Sequence, residues 1–282
     1  MDKIQLSDVL MEKTGEMDFR LTNDYLFRII FQENEEALKG LLAAILHLKS
    51  EDIRSTVIEN PIQPGASLSE KEYRMDILLT LNNNQRIDLE MQVKNEGDWR
   101  NRSLMYMSRE YGRSLKRGEV YKDAVSMHQI GILSFDLFED HPEFCGTYMM
   151  KNVEDGYTYN SNFKLTVVQL GQINRATKED EESGLVKWAK LFLASTWEDL
   201  RMIAKENESM TVAANATAYY ESDYAVRKRM EDREDFLAWK ANMEEYKRMH
   251  EADQRQHELD QRQIKEMAAR IKELEEKLNG AE

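Results

Sequence analysis

The sequence has a single cysteine, three prolines and no long apolar run. Cys145 has no second cysteine to pair with, which excludes an internal disulfide and fits a reducing compartment. No apolar stretch approaches the length that crosses a bilayer, and the first residues lack the basic start and apolar run of a signal peptide. We therefore expect a cytoplasmic protein that makes no membrane contact.

The chain also lacks an excess of positive charge. It carries 53 acidic and 39 basic residues, for a formal net charge of -14. The molecule as a whole does not look like a nucleic-acid binder, so contact with phosphate would need a local basic strip. With 282 residues, of which 41% are hydrophobic and 33% charged, the chain can form one sizeable domain with an appendage, or two small domains.

The stretch YRMDILLTLNNNQRIDLEMQVKNE, residues 73–96, predicts a β-hairpin. Apolar residues alternate along both arms, and three asparagines lie between them at a position suited to a turn. On the return strand Glu90 and Gln92 point the same way, and closure at the asparagines is expected to bring Asp76 near Gln92 and diagonal to Glu90. Two crowded carboxylates repel each other, which favours a hard divalent cation such as Mg²⁺ or Mn²⁺. Alternatively, these residues form an ordinary solvated strand face, as we expect for Asp88, which lies nearer the turn.

A basic helix is predicted next, in WRNRSLMYMSREYGRSLKRGEVY. Steps of three and four residues place five candidate phosphate-binding side chains on one face: Arg102, Tyr106, Arg109, Arg113 and Lys116. Glu110 is the one acid among them, so the charge reverses locally in an acidic chain. Guanidinium groups beside a carboxylate cluster suit a site that cleaves phosphodiesters. The alternative is a solvated helix with one or two Arg–Glu pairs.

These motifs together resemble a known family. NDYLFRIIF, YRMDILL, IDLEMQV and RSLMYMSREYGRSLKRGEVY are similar to successive motifs of the Rpn recombination-promoting nucleases, also called PD-(D/E)XK nuclease family putative transposases. The resemblance implies an α/β, restriction-endonuclease-like αβββαβ core, a mixed sheet flanked by helices, that cleaves DNA with Mg²⁺. It implies that Asp76 and Glu90 are metal ligands and that Asp76, Glu90 and Gln92 are catalytic residues, with Gln92 standing where the wider superfamily has lysine. It leaves open whether Asp24 or Glu36 adds a further acid.

The sequence after the core predicts a helical region and a coiled coil. We expect a leader over residues 1–20, a nuclease-like domain over 21–205, a helical connector over 206–235 and a coiled-coil tail over 236–282. From Phe236 to Leu278 one heptad register is unbroken, with apolar ends and a polar middle that either sets the register or is simply solvated. The tail is expected to join copies of the chain into a homo-oligomer.

Two functions are compatible with this organisation. The first is a Mg²⁺- or Mn²⁺-dependent DNA endonuclease of low sequence specificity, linked to recombination or mobile elements. The alternative is a catalytically silent DNA-binding or scaffold protein that oligomerises through its coiled coil. Nothing in the sequence distinguishes DNA from RNA as the bound nucleic acid.

Overall fold

The computed structural model describes residues 4–59, 62–63, 73–74, 76–82, 85–115 and 118–279. Contacts between residues divide the chain into two units, Met1–Met230 and Glu231–Glu282. This division does not test the domain boundaries expected from the sequence, which stay predictions.

The first unit is built on a mixed β-sheet. The strands among the described residues are β1 Thr56–Ile58, β2 Ile62–Gln63, β3 Tyr73–Arg74, β4 Ile77–Leu81, β5 Gln85–Gln92, β6 Ser126–Leu133, β7 Cys145–Lys151 and β8 Thr158–Gln169. Six of them form one sheet in the order β1-β4-β5-β6-β8-β7, and β2 pairs separately with β3. β5, β6 and β8 run parallel, and the other neighbours in the large sheet are antiparallel.

Helices cover this sheet. The described α-helices are α1 Asp8–Glu12, α2 Asp24–Glu33, α3 Glu35–Leu46, α4 Trp99–Arg113, α5 Lys178–Glu182, α6 Leu185–Leu193, α7 Trp197–Ala204, α8 Glu208–Ser222 and α9 Tyr224–Asn279. A flanked mixed sheet confirms the predicted restriction-endonuclease-like α/β class, whereas the coiled coil remains a prediction.

The two faces of the sheet bury different side chains. One face packs into the main hydrophobic core together with residues of α2, α3 and α6. We call it the apolar face and define it by Ile77, Leu79, Ile87, Leu89 and Ile130. The opposite face lies against α4, and we call it the α4 face. It is defined by Asp88, Glu90 and Gln92 of β5 and by Gln129 and Gly131 of β6, which pair with Asp88 and Glu90. β5 is a central strand and is therefore buried on both sides, although its sequence alternates apolar and polar residues.

A three-residue loop sets the hairpin register. Leu81 pairs with Gln85 and Ile77 with Leu89. Asn82 adopts a left-handed φ of 50°, which asparagine tolerates. Its side chain also accepts a hydrogen bond of 2.8 Å from the backbone of Arg54.

The first arm differs from the continuous strand expected from Tyr73. β3 ends at Arg74 and pairs with β2, and β4 begins at Ile77. Asp76 thus lies just before β4. Its backbone carbonyl accepts a hydrogen bond of 2.8 Å from Gln32 Nε2, at the end of α2, which explains why the chain departs from the ladder here.

The second unit consists of the greater part of α9. Its described side chains are mostly exposed, including Trp239, Tyr246, Ile264 and Ile271. Within the described part of the whole chain, no helix is both long and apolar enough to cross a membrane.

Candidate active site

Asp76 and Glu90 come together at the end of the hairpin. Asp76 directly precedes the Ile77–Leu89 pair of β4 and β5, and its charge acts on Glu90. We expected Asp76 near Gln92 and diagonal to Glu90, but the observed register, in which Leu81 pairs with Gln85, is shifted by two residues from that expectation. The carboxylate of Asp76 accepts a hydrogen bond of 2.9 Å from the backbone N–H of Met91, which holds it beside the strand.

Gln92 links Glu90 to the basic helix. Its amide nitrogen donates a 3.2 Å hydrogen bond to Glu90 Oε2, and its amide oxygen accepts a short hydrogen bond from Arg102. The Arg102 guanidinium also lies 3.6 Å from the Asp98 carboxylate and over the ring of Trp99. Glu90 is therefore oriented by a glutamine that is itself held by an arginine.

Asp88 is a member of this cluster that the sequence analysis placed wrongly. We expected it to be exposed, but its side chain is completely buried under α4. Its neighbour on β6 is Gln129, which is equally buried. Neither carboxylate oxygen of Asp88 nor Glu90 Oε1 makes a hydrogen bond of good geometry. The two side chains are nevertheless close enough for each to affect the pKa of the other. Buried polar atoms of this kind are rare in folded proteins and call for a physical reason.

Burial dominates the electrostatics of these acids. It raises the pKa of Asp88 to about 8, an effect that the nearby Gln129 opposes and the charge of Asp76 increases. Burial also raises the pKa of Glu90 well above its ordinary value, with further contributions from Asp88 and Asp76 and opposition from Arg102. Without a countercharge, Asp88 thus favours its protonated form at neutral pH.

The cluster fits a hard divalent cation in its chemistry. Its donors are carboxylate oxygens, the ligands that Mg²⁺ and Mn²⁺ prefer, and the oxygen of Glu90 that lacks a hydrogen bond is buried. A cation would supply the charge that stabilises the ionised acids. Among the described residues, however, no three His, Cys, Asp or Glu side chains are already arranged as a complete metal-ligand set. The residues that fit the ion as ligands are Asp76 and Glu90.

The predicted basic face is divided along α4. Arg102, near the start of the helix, reaches Gln92, whereas Arg113 at its end lies 3.1 Å from Glu110. Glu110 is buried and also binds Arg86 of β5 at 2.9 Å. Arg86 in turn binds Glu59 at 2.5 Å. The second half of this helix therefore carries the Arg–Glu pair that the sequence allowed as an alternative to a phosphate-binding face.

The contacts of Arg102 and Arg113 are described above, and three members of the predicted basic face remain. Tyr106 and Arg109 are half-buried on α4, and Lys116 lies outside the described residues. From Arg102 to Arg113 the helix rises by about 16 Å, so these side chains cannot all contact one phosphate.

Two packing residues position α4 over the site. Trp99, at the start of α4, is buried against Gly131 of β6, the register partner of Glu90. A Cβ atom at position 131 would lie 2.2 Å from the Trp99 ring. A glycine here lets the indole lie directly on the sheet. No local sequence signal marks the role of this glycine.

The candidate helix acids lie in different places. Glu36 on α3 accepts a 2.8 Å hydrogen bond from Ser209 of α8. Asp24 is the first residue of α2, eight residues before Gln32, whose side chain reaches Asp76. The amide of Gln32, which we did not single out from the sequence, thus contacts the backbone of Asp76.

Two other reactive residue types are held in inert states. His128 is buried on β6, where its Nε2 lies 2.7 Å from Thr166 Oγ1, and burial together with Lys164 lowers its pKa to about 4. Burial raises the pKa of the Cys145 thiol to about 12, with Asp180 and Glu143 contributing. Neither is suited to act as a base or a thiolate nucleophile at neutral pH.

A mixed sheet flanked by helices, with one acid just before β4 and another on the adjacent strand β5, is the arrangement expected of nuclease-like proteins. Comparison with known families gives the same class. A family model described as PD-(D/E)XK nuclease family transposase matches residues 21–247. Because this match covers most of the chain, the protein belongs to that family, as the resemblance predicted. Comparison with curated proteins found no match. Comparison with solved structures found none either.

Proposed function

We propose that this protein is a divalent-metal-dependent DNA endonuclease that hydrolyses phosphodiester bonds with low sequence specificity. Membership of a nuclease and transposase family supports the nuclease class and suggests DNA as the substrate. The observation that carries the metal-dependent part is the Asp76 carboxylate, bound to the backbone N–H of Met91, beside a buried Glu90 whose Oε1 makes no hydrogen bond of good geometry.

The proposed roles follow from the contacts. Asp76 and Glu90 hold Mg²⁺ or Mn²⁺, an ion that supplies an activated water and stabilises charge on the phosphodiester. Gln92 orients Glu90 and presents an amide where the wider superfamily has a cation. Since an amide contributes hydrogen bonds but no charge, Arg102 is the nearest group able to supply positive charge there.

DNA contact is proposed through side chains of α4 and through Lys116, which follows α4 in the sequence. Arg102, Tyr106, Arg109, Arg113 and Lys116 are the candidate contacts to the sugar–phosphate backbone. Such contacts carry little base information, which supports weak sequence preference. A link to recombination or mobile elements rests on the family description alone.

The decisive experiment compares cleavage of supercoiled plasmid with Mg²⁺, Mn²⁺ or EDTA. We expect Glu90→Gln and Asp76→Asn to lower the rate about a thousandfold, because several kcal/mol of metal-dependent stabilisation would be lost. Glu51→Gln is the matched control, since this glutamate is 77% exposed and paired only with Lys49 at 3.7 Å. Binding of Mn²⁺, measured by electron paramagnetic resonance, reports on the site independently of turnover.

The outcomes separate the hypotheses. Full cleavage by Glu90→Gln would dismiss the proposed site. If no variant cleaves any substrate, and DNA binding by the wild type does not respond to Mg²⁺, the silent DNA-binding or scaffold alternative replaces the nuclease. A parallel assay with single-stranded RNA decides between the two nucleic acids.

A further inference from the structure

The second unit presents a row of exposed side chains along α9, whose recorded contacts, such as the hydrogen bond from Gln256 to Asp260, lie within the helix itself. We define the tail seam as the positions that recur every three and four residues: Trp239, Met243, Tyr246, His250, Asp253, His257, Asp260, Ile264, Met267 and Ile271. All ten are exposed, with Trp239 and Ile271 at 59% and 57%. An exposed seam of this length is the contact surface of a coiled coil when a partner helix is present.

The tail seam is symmetric about Arg255. Trp239 and Ile271 are equally far from that residue, as are Met243 and Met267, and Tyr246 and Ile264. The same symmetry holds in the polar middle, but there it joins unlike residues. His250 is the counterpart of Asp260, and Asp253 is the counterpart of His257.

We infer that the partner is a second copy of this chain, running antiparallel, with the two-fold axis at Arg255. In a two-fold interface, residue i of one copy contacts residue j of the other and the reverse. This arrangement faces every apolar residue of the tail seam with an apolar residue. It also faces each aspartate with a histidine that can donate a hydrogen bond to it. The symmetry and the charge complementarity of the seam identify its own copy as the partner.

A parallel pair is disfavoured by the same residues. In a parallel, in-register dimer each seam residue faces its own copy, so Asp253 meets Asp253 and Asp260 meets Asp260. Two layers of facing carboxylates then repel each other inside the seam. The antiparallel arrangement has no such layer.

Other antiparallel registers are also disfavoured. A shift by one heptad in one direction puts Asp253 opposite Ile264, and a shift in the other puts Asp260 opposite Met243. Each places an aspartate against an apolar side chain, without a partner for its charge. The polar middle therefore selects one register, which is the use of polar seam residues that is best supported in coiled coils.

The inference is independent of the proposed nuclease activity. It predicts the distance between the N-terminal ends of the two paired tail seams. With 1.5 Å of rise per residue, the two copies of Trp239 would lie about 48 Å apart, at opposite ends of the paired helices. In a parallel pair they would be adjacent. The two arrangements thus make opposite predictions for cross-linking.

Cysteine cross-linking in the full chain tests the orientation. Met243→Cys and Met267→Cys are made separately, and each is treated with a short bis-maleimide alone and after mixing by refolding from denaturant. The antiparallel dimer predicts a cross-linked product only in the mixture, because two copies of position 243 would be about 36 Å apart. Cross-linking of each variant to itself would establish a parallel pair, and a monomeric wild type in light scattering would remove the interface altogether. The wild type, which retains Cys145, is the control for background reaction.

A charge exchange tests the register. Asp253→His should weaken dimerisation about tenfold or more, because it puts histidine opposite histidine in the antiparallel pair. The double variant Asp253→His, His257→Asp should restore the affinity. A parallel pair predicts the reverse for the single variant, which would relieve an Asp–Asp contact and tighten the dimer, so that result would overturn the inference.

Discussion

Ile87 and Leu89 on one face of the central strand β5 and Asp88 on the other are all completely buried, but burial changes the stability of the fold in opposite directions on the two faces. On the apolar face, Ile87 and Leu89 pack into a core with Phe31 of α2 and Phe192 of α6. Removing such side chains from water stabilises the fold, by about 25 cal/mol per Å² of apolar surface. On the α4 face, Asp88 lies at the same depth without a hydrogen bond of good geometry.

This difference separates the scaffold from the proposed site. Burying a carboxylate without a full set of partners opposes folding, so the α4 face lowers stability where the apolar face raises it. Natural proteins retain such features mainly where function needs them. The comparison predicts that substitutions of opposite faces change stability in opposite directions.

The largest effect is expected on the apolar face. Phe31→Ala should lower the free energy of unfolding by about 3–5 kcal/mol, because it leaves a cavity between rings whose centroids lie 4.9 Å (Phe27) and 5.8 Å (Trp188) away. Urea denaturation followed by tryptophan fluorescence measures the change. Met202→Ala, at a side chain that is 63% exposed, is the control and should change stability by less than about 0.5 kcal/mol. A loss below about 1 kcal/mol for Phe31→Ala would contradict this account of the core.

A smaller effect, of opposite sign, is expected at Asp88. Its pKa is raised in the folded protein to about 8, so the folded state keeps a proton that the unfolded chain releases above about pH 4. In metal-free buffer the stability contributed by this proton is complete below pH 4 and is lost as the pH rises to about 8. Asp88→Asn removes that titration. Between pH 5 and pH 8 the variant should therefore lose less free energy of unfolding than the wild type does, by on the order of 3 kcal/mol.

The measurement for Asp88 is urea unfolding at several pH values with EDTA. Glu90 keeps its own raised pKa, so the variant should retain a reduced slope rather than none. Glu51→Gln, on the exposed surface, should follow the wild-type curve. Identical slopes for Asp88→Asn and the wild type would show that the folded protein does not hold this carboxyl in its protonated form.

The smallest pair of effects compares two glycines around α4. Gly131→Ala should destabilise by about 1–3 kcal/mol, since the added methyl group collides with Trp99. It should also lower cleavage, because Trp99 begins the helix that carries Arg102. Gly112→Ala, within α4, meets nothing within 4 Å and should stabilise by up to about 1 kcal/mol. Thermal unfolding measures both, and equal effects would remove the proposed packing role of Gly131.

Periodicity was sufficient to predict much of this fold. Alternation along residues 73–93 predicted the hairpin, and steps of three and four predicted α4. Alternation assigns residues to two faces but does not say which face another element covers, and for this reason Asp88 was expected in solvent. Its burial depends on β5 being central and on α4 crossing that face, both of which require the tertiary arrangement.

The contacts of the candidate site were harder to predict. Asp76, Glu90 and Gln92 follow from residue type and spacing, and the structure brings them together. Gln129 and Gly131 come from β6 and Gln32 from α2, and nothing in their local sequence points to Asp76 or Glu90. Helical spacing likewise aligned Arg102 with Arg113 and allowed an Arg–Glu pair, but gave no sign that Glu110 is buried and also binds Arg86 of β5.

The attachment of α4 at both ends has a thermodynamic consequence for ligand capture. Trp99 fixes one end on β6, and Glu110, bound to Arg86 of β5, fixes the other. A helix anchored in this way is preorganised, so an incoming polyanion would not have to order it. The unfavourable conformational entropy of association should then be confined to the long cationic side chains themselves.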